Sequence, residues 1–314
     1  MGYEKKSSGP PPSSLTSSVA QSQATFPRRH TILSLDLPEA HQALAHLESL
    51  MKPDAYSCVT GMRYADNSKY VRWELPADLK TIYLMQITDV QFGHIQCRYE
   101  RVLEYRDWIL AAPNRFMLWC GDMIDASTKL SVGDPWENFA APAAQVYKFC
   151  EIWAPARHRI LGFVGGNHER RAFIFGDLGS EIAKYLRIPY SAGRQFVDIH
   201  FGAHRPFKIS LWHGAGGART KGAIAQTLDR FVQQGDSQLY LMGHLHQPMV
   251  MPMWKQYREG KSQRIALQKV IGAVGSSFLE TWATYGEVAG YAAHDVLMAC
   301  AELEANGKWQ VNLR

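Results

Sequence analysis

Metal-ligating side chains recur along this 314-residue chain in one setting, directly after an apolar run. TIYLMQ leads to Asp89 and, two residues on, Gln91. FMLWCG leads to Asp122. ILGFVGG leads to Asn167 and His168, with Glu169 next. FKISLW leads to His213, and LYLMG leads to His244 and His246. Residues two apart on an extended segment share a face, so Asp89 with Gln91, and His244 with His246, point the same way. The set comprises two aspartates, two amides and four imidazoles, with no thiolate. Such donors suit Mn, Fe, Zn or Co in a working site rather than a structural zinc. Eight groups exceed the needs of one ion. Two ions sharing a carboxylate, about 3.5–4 Å apart, fit better and serve hydrolytic displacement. Two divalent cations, offset by two carboxylates and a hydroxide, keep a residual positive charge that attracts an anion such as phosphate.

The segments carrying these residues have to bring them together. Apolar strands are expected at residues 81–89, 116–122, 160–168, 207–214 and 239–246, and helical spacing at 99–111, 141–153, 181–186 and 223–234. Near-continuous apolar strands alternating with helices imply a sheet covered on both faces. The carboxyl ends of such strands are where an open α/β sheet places its site. Strands at 269–277 and 294–303 come without clear helices between them, which predicts a second sheet packed on the first. Three regions are expected: a Ser- and Pro-rich disordered tail at 1–28, an extension at 29–79 packing on the core, and the main domain at 80–314. The extension carries a helical pattern at 38–51 and short strands near 70–75. There is no internal repeat.

Composition narrows the function classes. At 46% hydrophobic residues a sizeable core is available, and no apolar run is long enough to span a membrane. The first thirty residues lack the apolar core of a secretory signal, and Lys6 breaks the myristoylation pattern. Five scattered cysteines without a C-x-x-C read as reduced thiols of a cytoplasmic protein. The net charge is +5, and Lys5, Lys6, Arg28 and Arg29 against Glu4 supply most of it. The folded part is therefore nearly neutral, which neither requires nor excludes a nucleic-acid partner. No obligate protein partner is evident.

The ordered series D-x-Q, G-D, G-N-H-E, H, G-H-x-H over residues 89–246 resembles the calcineurin-like metallophosphoesterase superfamily. The resemblance implies an α/β fold, an αββα sandwich of two mixed sheets flanked by helices. It also implies two divalent metal ions, Mn first, with Fe, Zn or Mg as alternatives. Asp89, Gln91, Asp122 and His246 would hold one ion; Asp122, Asn167, His213 and His244 the other, with Asp122 bridging. His168 would not bind metal but would protonate or stabilise the leaving oxygen, and Glu169 would orient it. A metal-bridging hydroxide would attack phosphorus in line, with His168 as general acid.

Gln91 departs from the family pattern, where histidine is usual. An amide oxygen is a harder and weaker donor, favouring Mn or Mg. The same D-x-Q occurs in enzymes similar to the ADP-ribose/CDP-alcohol diphosphatases. His94 could replace the missing imidazole, although a substrate-facing or structural role fits its loop position better. Arg219 and Lys221, in the glycine-rich stretch after His213 and just ahead of a helix, form an anion cradle in one reading and a solvated face in another. Arg170 and Arg171, after G-N-H-E, divide the same way. G-N-H-E-R-R with H-G-x-G-G-x-x-T-K-G-A looks like metallophosphoesterases of phage and prophage genomes. The leading expectation is a phosphodiesterase acting on DNA, RNA or a nucleotide. Alternatives are a pyrophosphatase of nucleoside-diphosphate conjugates, a phosphomonoesterase or protein phosphatase, and a non-catalytic scaffold.

Overall fold

In β2 (Thr81–Ile87) Ile82 and Leu84 face one way, Met85 and Ile87 the other, and all four are buried. A strand apolar on both faces must be covered on both, and the remaining architecture supplies the two covers. The computed structural model describes residues 69–314, apart from residue 77 and residues 129–130, 132–134, 172–175, 203, 260–263, 283–286, 288–289 and 291. The tail at 1–28, the boundary after it and the helical pattern at 38–51 lie outside the described residues.

Two six-stranded mixed sheets are stacked. The first has the order β12 (Trp309–Leu313), β11 (Ala299–Glu304), β2, β3 (Arg115–Trp119), β4 (Ile160–Val164), β5 (Tyr190–Ser191). The second runs β1 (Tyr70–Leu75), β6 (Gln195–Phe201), β7 (Phe207–Trp212), β8 (Leu239–Met242), β10 (Arg264–Val274), β9 (Met249–Glu259). Between the sheets pack Ile82, Leu84, Phe116, Leu118, Val197, Leu211, Leu241 and Ile271. On the outer face of the first sheet, Met85, Ile87, Met117 and Trp119 meet helices α1 (Tyr99–Leu110), α2 (Pro142–Trp153) and α3 (Leu178–Leu186). On the outer face of the second, Tyr240, Met242 and Val270 meet α4 (Lys221–Val232) through Ile224, Leu228 and Phe231. The layer order is helix, sheet, sheet, helix.

The helices follow their sequence signals. Val102, Tyr105 and Ile109 form the buried stripe of α1 at helical spacing. Asp177 caps α3 by accepting the N–H groups of Gly179 and Ser180, and Thr220 caps α4 through Ala223.

Two expectations change. The five ligand-bearing strands do not share one sheet. β2, β3 and β4 lie in the first, β7 and β8 in the second beside β10, and the later strand β11 returns to pair antiparallel with β2. The break falls between β5 and β6, where the strand–helix rhythm gives no sign of it. Strands β5, β6, β9 and β12 were also not anticipated. β5 is two residues long, and β9 and β12 are edge strands whose half-burial weakens their alternation. The strand expected near 70–75 is β1, parallel to β6 at the edge of the second sheet.

Candidate metal centre

The loops that end β2, β3 and β8 turn sharply enough to need unusual backbone. Among the described non-glycine residues, seven have positive φ: Asp89 (50°), Gln91 (47°), Asp122 (55°), Ala126 (49°), Arg187 (56°), His244 (69°) and His246 (56°). Arg187 is the left-handed cap of α3. Five of the other six are expected metal ligands. Left-handed backbone costs a residue with a Cβ, so its concentration here marks side chains aimed at one point at the expense of local comfort.

Glycine makes the approach possible. A Cβ on Gly166 would fall 2.0 Å from Asp122 Oδ1, and one on Gly243 would fall 2.6 Å from Asp89 Oδ2. On Gly121 it would fall 2.6 Å from His213 Nδ1. Each glycine of G-D, G-N-H-E and G-H-x-H is therefore a place where backbone passes a ligand too closely for any side chain.

The ligands form two adjoining groups. In the first, His246 Nε2 lies 3.1 Å from Asp89 Oδ1 and 3.3 Å from the Gln91 amide nitrogen. The Asp89 carboxylate also accepts the Thr88 hydroxyl at 2.6 Å and the His244 N–H at 2.9 Å. In the second, His213 Nε2 lies 3.1 Å from Asp122 Oδ2 and 3.1 Å from Asn167 Oδ1. Ligand atoms of Asp122, His213 and His244 all fall within 4.8 Å of one another. Both imidazoles of this group are fixed from behind. His213 Nδ1 donates to the Cys120 carbonyl at 2.7 Å and His244 Nε2 to the Gly216 carbonyl at 2.8 Å. Each ring thus keeps its other nitrogen, His213 Nε2 and His244 Nδ1, as a lone-pair donor, the usual support for a metal-binding histidine.

Charge points the same way. Burial pushes the Asp122 carboxyl up, but the imidazoles of His168 and His213 override it and hold the acid well below the usual carboxylate range. Burial likewise lowers His213, yet the Asp122 carboxylate beside it lifts it to about 10. Asp89 is held low by His246 against its burial. The pocket demands positive charge, and the donor set and second contacts present fit divalent cations. Asp89, Gln91, Asp122 and His246 would hold one ion, and Asp122, Asn167, His213 and His244 the other.

His168 stands beside this cluster. Its backbone N–H donates to Asp122 Oδ1 at 2.8 Å, and its Nε2 lies 3.6 Å from Asp122 Oδ2. Its Nδ1 faces Asp125, with Oδ1 at 3.0 Å and the carbonyl at 2.9 Å. Burial lowers His168, while Asp122 and Asp125 together raise it above its ordinary value. The orienting contact expected of Glu169 is made by Asp125. The Glu169 carboxylate is instead wholly buried, accepting the N–H groups of Asp122 at 3.1 Å, Met123 at 2.5 Å and Gly166 at 2.8 Å. It ties the loop after β3 to the loop after β4. Asp125 escaped the sequence reading although G-D-M-I-D shows its carboxylate three residues past Asp122.

The other expected residues divide. The glycine-rich loop borders the site: the Gly216 carbonyl takes His244, the Arg219 carbonyl takes the Gln247 amide at 3.1 Å, and the side chains of Arg219 and Lys221 are exposed. The Arg170 guanidinium is directed at the carbonyls of Gly165 and Ala192. Arg171 turns inward, to Ser127 Oγ at 3.1 Å and Asp125 Oδ1 at 3.5 Å. His94 does not join the ligands. Its Nδ1 accepts the Gln96 N–H at 3.1 Å and its Nε2 lies 3.4 Å from Glu137, in a groove of about 480 Å³ lined by Phe92, Tyr99, Phe139 and Ile152. The short turn His94–Cys97 carries it off toward that groove, since Gly93 breaks the strand direction with φ 112°.

The sequence model of the calcineurin-like phosphoesterases matches residues 82–248, more than half of the chain. The chain belongs to that family. It is a metal-dependent phosphoric ester hydrolase of a family with a binuclear divalent centre, and Asp122, His213 and His244 form a candidate metal site. Three solved structures that the chain matches at low TM-score are an NAD nucleotidase, a nuclease and a protein phosphatase. The nucleotidase NadN of Haemophilus influenzae is 11% identical with a TM-score of 0.36, covering 74% of this chain and 49% of its own. This chain thus spans about half the length of the nucleotidase. The nuclease MPE of Pseudomonas putida is 14% identical with a TM-score of 0.31, covering 73% and 87%. A protein serine/threonine phosphatase from Saccharomyces cerevisiae is 12% identical with a TM-score of 0.36, covering 87% of each. A search of the curated proteins found no relative. Among the described residues no helix is long and apolar enough to cross a membrane.

Proposed function

We propose that this phosphoesterase is a phosphodiesterase acting on nucleic-acid or nucleotide substrates, with Mn at both positions. Divalent ions held there supply Lewis-acid polarisation of the phosphoryl oxygens and an activated water at neutral pH. The chain's own residues do the rest. Asp122 places its carboxylate between the two ligand groups. His168, with Nδ1 committed to Asp125, presents Nε2 to the leaving oxygen and gives it a proton. The buried Asp125 stabilises the imidazolium before that transfer. Gln91, beside His246, offers an amide where a stronger donor is usual, which favours the harder ion Mn over Zn.

The observation that carries the diester reading is the rim. The loop at 214–220 is pinned to the site by the Gly216 carbonyl, which takes His244, and the Arg219 carbonyl, which takes Gln247; two exposed cations follow, Arg219 in the loop and Lys221 at the start of α4. A small monoester has no second anionic group to reach them, and a polynucleotide does. The test is turnover of bis-4-nitrophenyl phosphate, 4-nitrophenyl phosphate, ADP-ribose and single-stranded DNA by the Mn-supplemented protein. Greater kcat/KM on the diester and DNA than on the monoester is expected. A monoester preferred by tenfold or more would refute the reading, and ADP-ribose as best substrate would replace it by a pyrophosphatase.

A further inference from the structure

Asp125 is the end of a longer chain of hydrogen bonds. The Ala126 N–H donates to Gln145 Oε1 at 2.9 Å. Gln145 Nε2 donates to Asn138 Oδ1 at 2.5 Å and to the Ala140 carbonyl at 2.8 Å. Asn138 Nδ2 donates to Asp125 Oδ2 at 2.8 Å, joined there by the Ser127 hydroxyl at 2.6 Å. Asp125 Oδ1 then meets His168 Nδ1.

The direction of every link is forced. A backbone N–H can only donate, so Gln145 must turn its oxygen to Ala126. Its NH₂ then faces Asn138, which must answer with oxygen and so turns its own NH₂ to Asp125. At the far end both neighbours of His168 Nδ1, the Asp125 carboxylate and carbonyl, are acceptors, so Nδ1 carries hydrogen. The relay thus ends on the carboxylate that holds His168 as the Nδ1–H tautomer and leaves Nε2 to the site.

The sequence invests in this arrangement. Gln145 is a fully buried polar residue in α2, one turn from Phe149 on an otherwise apolar face. Gly93 leaves room for it, since a Cβ there would fall 2.1 Å from the Gln145 amide carbon. Ala126, whose N–H starts the chain, is the sixth of the strained residues at the site, with φ 49°. An unpaired buried amide would be costly, and here both amide hydrogens and the oxygen of Gln145 are used.

We propose that Asn138, oriented by Gln145, is a positioning residue for the general acid: it fixes the Asp125 carboxylate and through it the aim of His168. This rests on the reading of His168 as the acid. Among the described residues the Asn138 side chain bonds Asp125 and Gln145 and none of the expected metal ligands, so its removal should blunt proton delivery and leave the metal centre alone.

The experiment is a double-mutant cycle of Asn138→Ala and His168→Gln in the full-length, Mn-supplemented protein. It is read on two diesters, bis-4-nitrophenyl phosphate, whose leaving group needs little protonation, and a dinucleotide, whose alkoxide needs much. Asn138→Ala should lower kcat on the dinucleotide about tenfold, the scale of losing one hydrogen bond to a charged group, with KM unchanged. On the activated diester the loss should be no more than about threefold. Metal content by mass spectrometry should match wild type. In the His168→Gln background Asn138→Ala should add less than about twofold, because the acid it aims is gone. Equal losses on both diesters, an undiminished effect without His168, or a lost metal would overturn the proposal. If His168→Gln itself shows no leaving-group dependence, the acid reading fails. If it does and Asn138→Ala does not, only the positioning role fails. Should Asn138→Ala not fold, the isosteric Asn138→Asp takes its place and is held to the same readouts.

Discussion

Gly166→Ala is the sharpest test of how the site is held. Gly166 precedes Asn167 in the loop after β4, and its φ is not in the left-handed region, so alanine meets no backbone penalty. The obstacle is space. The new Cβ would lie 2.0 Å from Asp122 Oδ1, 2.4 Å from its backbone nitrogen and 2.8 Å from its Cγ. Carbon and oxygen in ordinary contact sit roughly 3.2–3.5 Å apart, so one of the two loops must retreat by more than about 1 Å. Neither can move alone, because the Glu169 carboxylate bonds the N–H groups of Gly166 and Asp122 together. The displaced group is the carboxylate proposed to be shared by both ions, and Asn167 is carried along. A shift of about 1 Å in a reacting constellation costs on the order of 10²-fold in rate. The core of each sheet is untouched, so overpacking should cost only about 1–3 kcal/mol of stability. The expected variant is folded by circular dichroism, melts several degrees lower, binds less metal by mass spectrometry and loses kcat by about 10²-fold or more. A Gly166→Ala protein with wild-type metal content and activity within about threefold would show that Asp122 is not where the chemistry is centred.

Three further perturbations probe the remaining assignments. Asp122→Ala should bring metal content toward zero at both positions; a variant keeping two tightly bound ions would remove Asp122 from its bridging role. Gln91→His should tighten the Asp89 site and shift it toward Zn or Fe while activity survives, as followed by metal titration. Unchanged affinities would mean that Gln91 is no ligand. Replacing Arg219 and Lys221 together by Ala should raise KM for an oligonucleotide about tenfold or more and leave bis-4-nitrophenyl phosphate nearly unaffected. Identical kinetics on both substrates would assign the two cations to solvent.

The site was legible because each expected ligand lies one to four residues beyond the end of an apolar strand, and strand ends are where an α/β fold works. Asp89 with Gln91, and His244 with His246, do not pair by strand alternation as the spacing implies: all four have left-handed backbone in loops beyond their strands, and the loop turns bring them together. What could not be read were relations across the fold. Asp125 sits in an aperiodic loop, and its partner His168 is 43 residues away. Gln145 shows in PAAQVYKFCEIW as a polar residue out of pattern, but nothing local says that it answers Ala126 and Asn138. Glu169 adjoins His168 in sequence, which suggested a partnership, yet neighbouring side chains in a loop diverge and its carboxylate serves the backbone. The division into two sheets was hidden for a different reason. The strand–helix rhythm is the same on both sides of the break, and hydrophobicity records burial without recording which sheet provides it.

That division gives the ligand cluster a mechanical meaning. Asp89, Gln91, Asp122 and Asn167 follow strands of one sheet, while His213, His244 and His246 follow strands of the other. Each proposed ion is therefore a rivet through two layers that otherwise adhere by apolar contact and a few buried hydrogen bonds, such as Trp73 Nε1 to the Leu161 carbonyl and Gln86 Nε2 to the Met242 carbonyl. Binding energy at the rivet is cohesion between the layers: an ion at 100 times its Kd adds about 2.7 kcal/mol to the native state. The first layer alone supplies only three of the four donors proposed for one ion and two of the four for the other, so complete coordination reports the two sheets seated in register. Competence for hydrolysis then serves as a built-in proof of correct assembly, denied to any half-docked form of the chain.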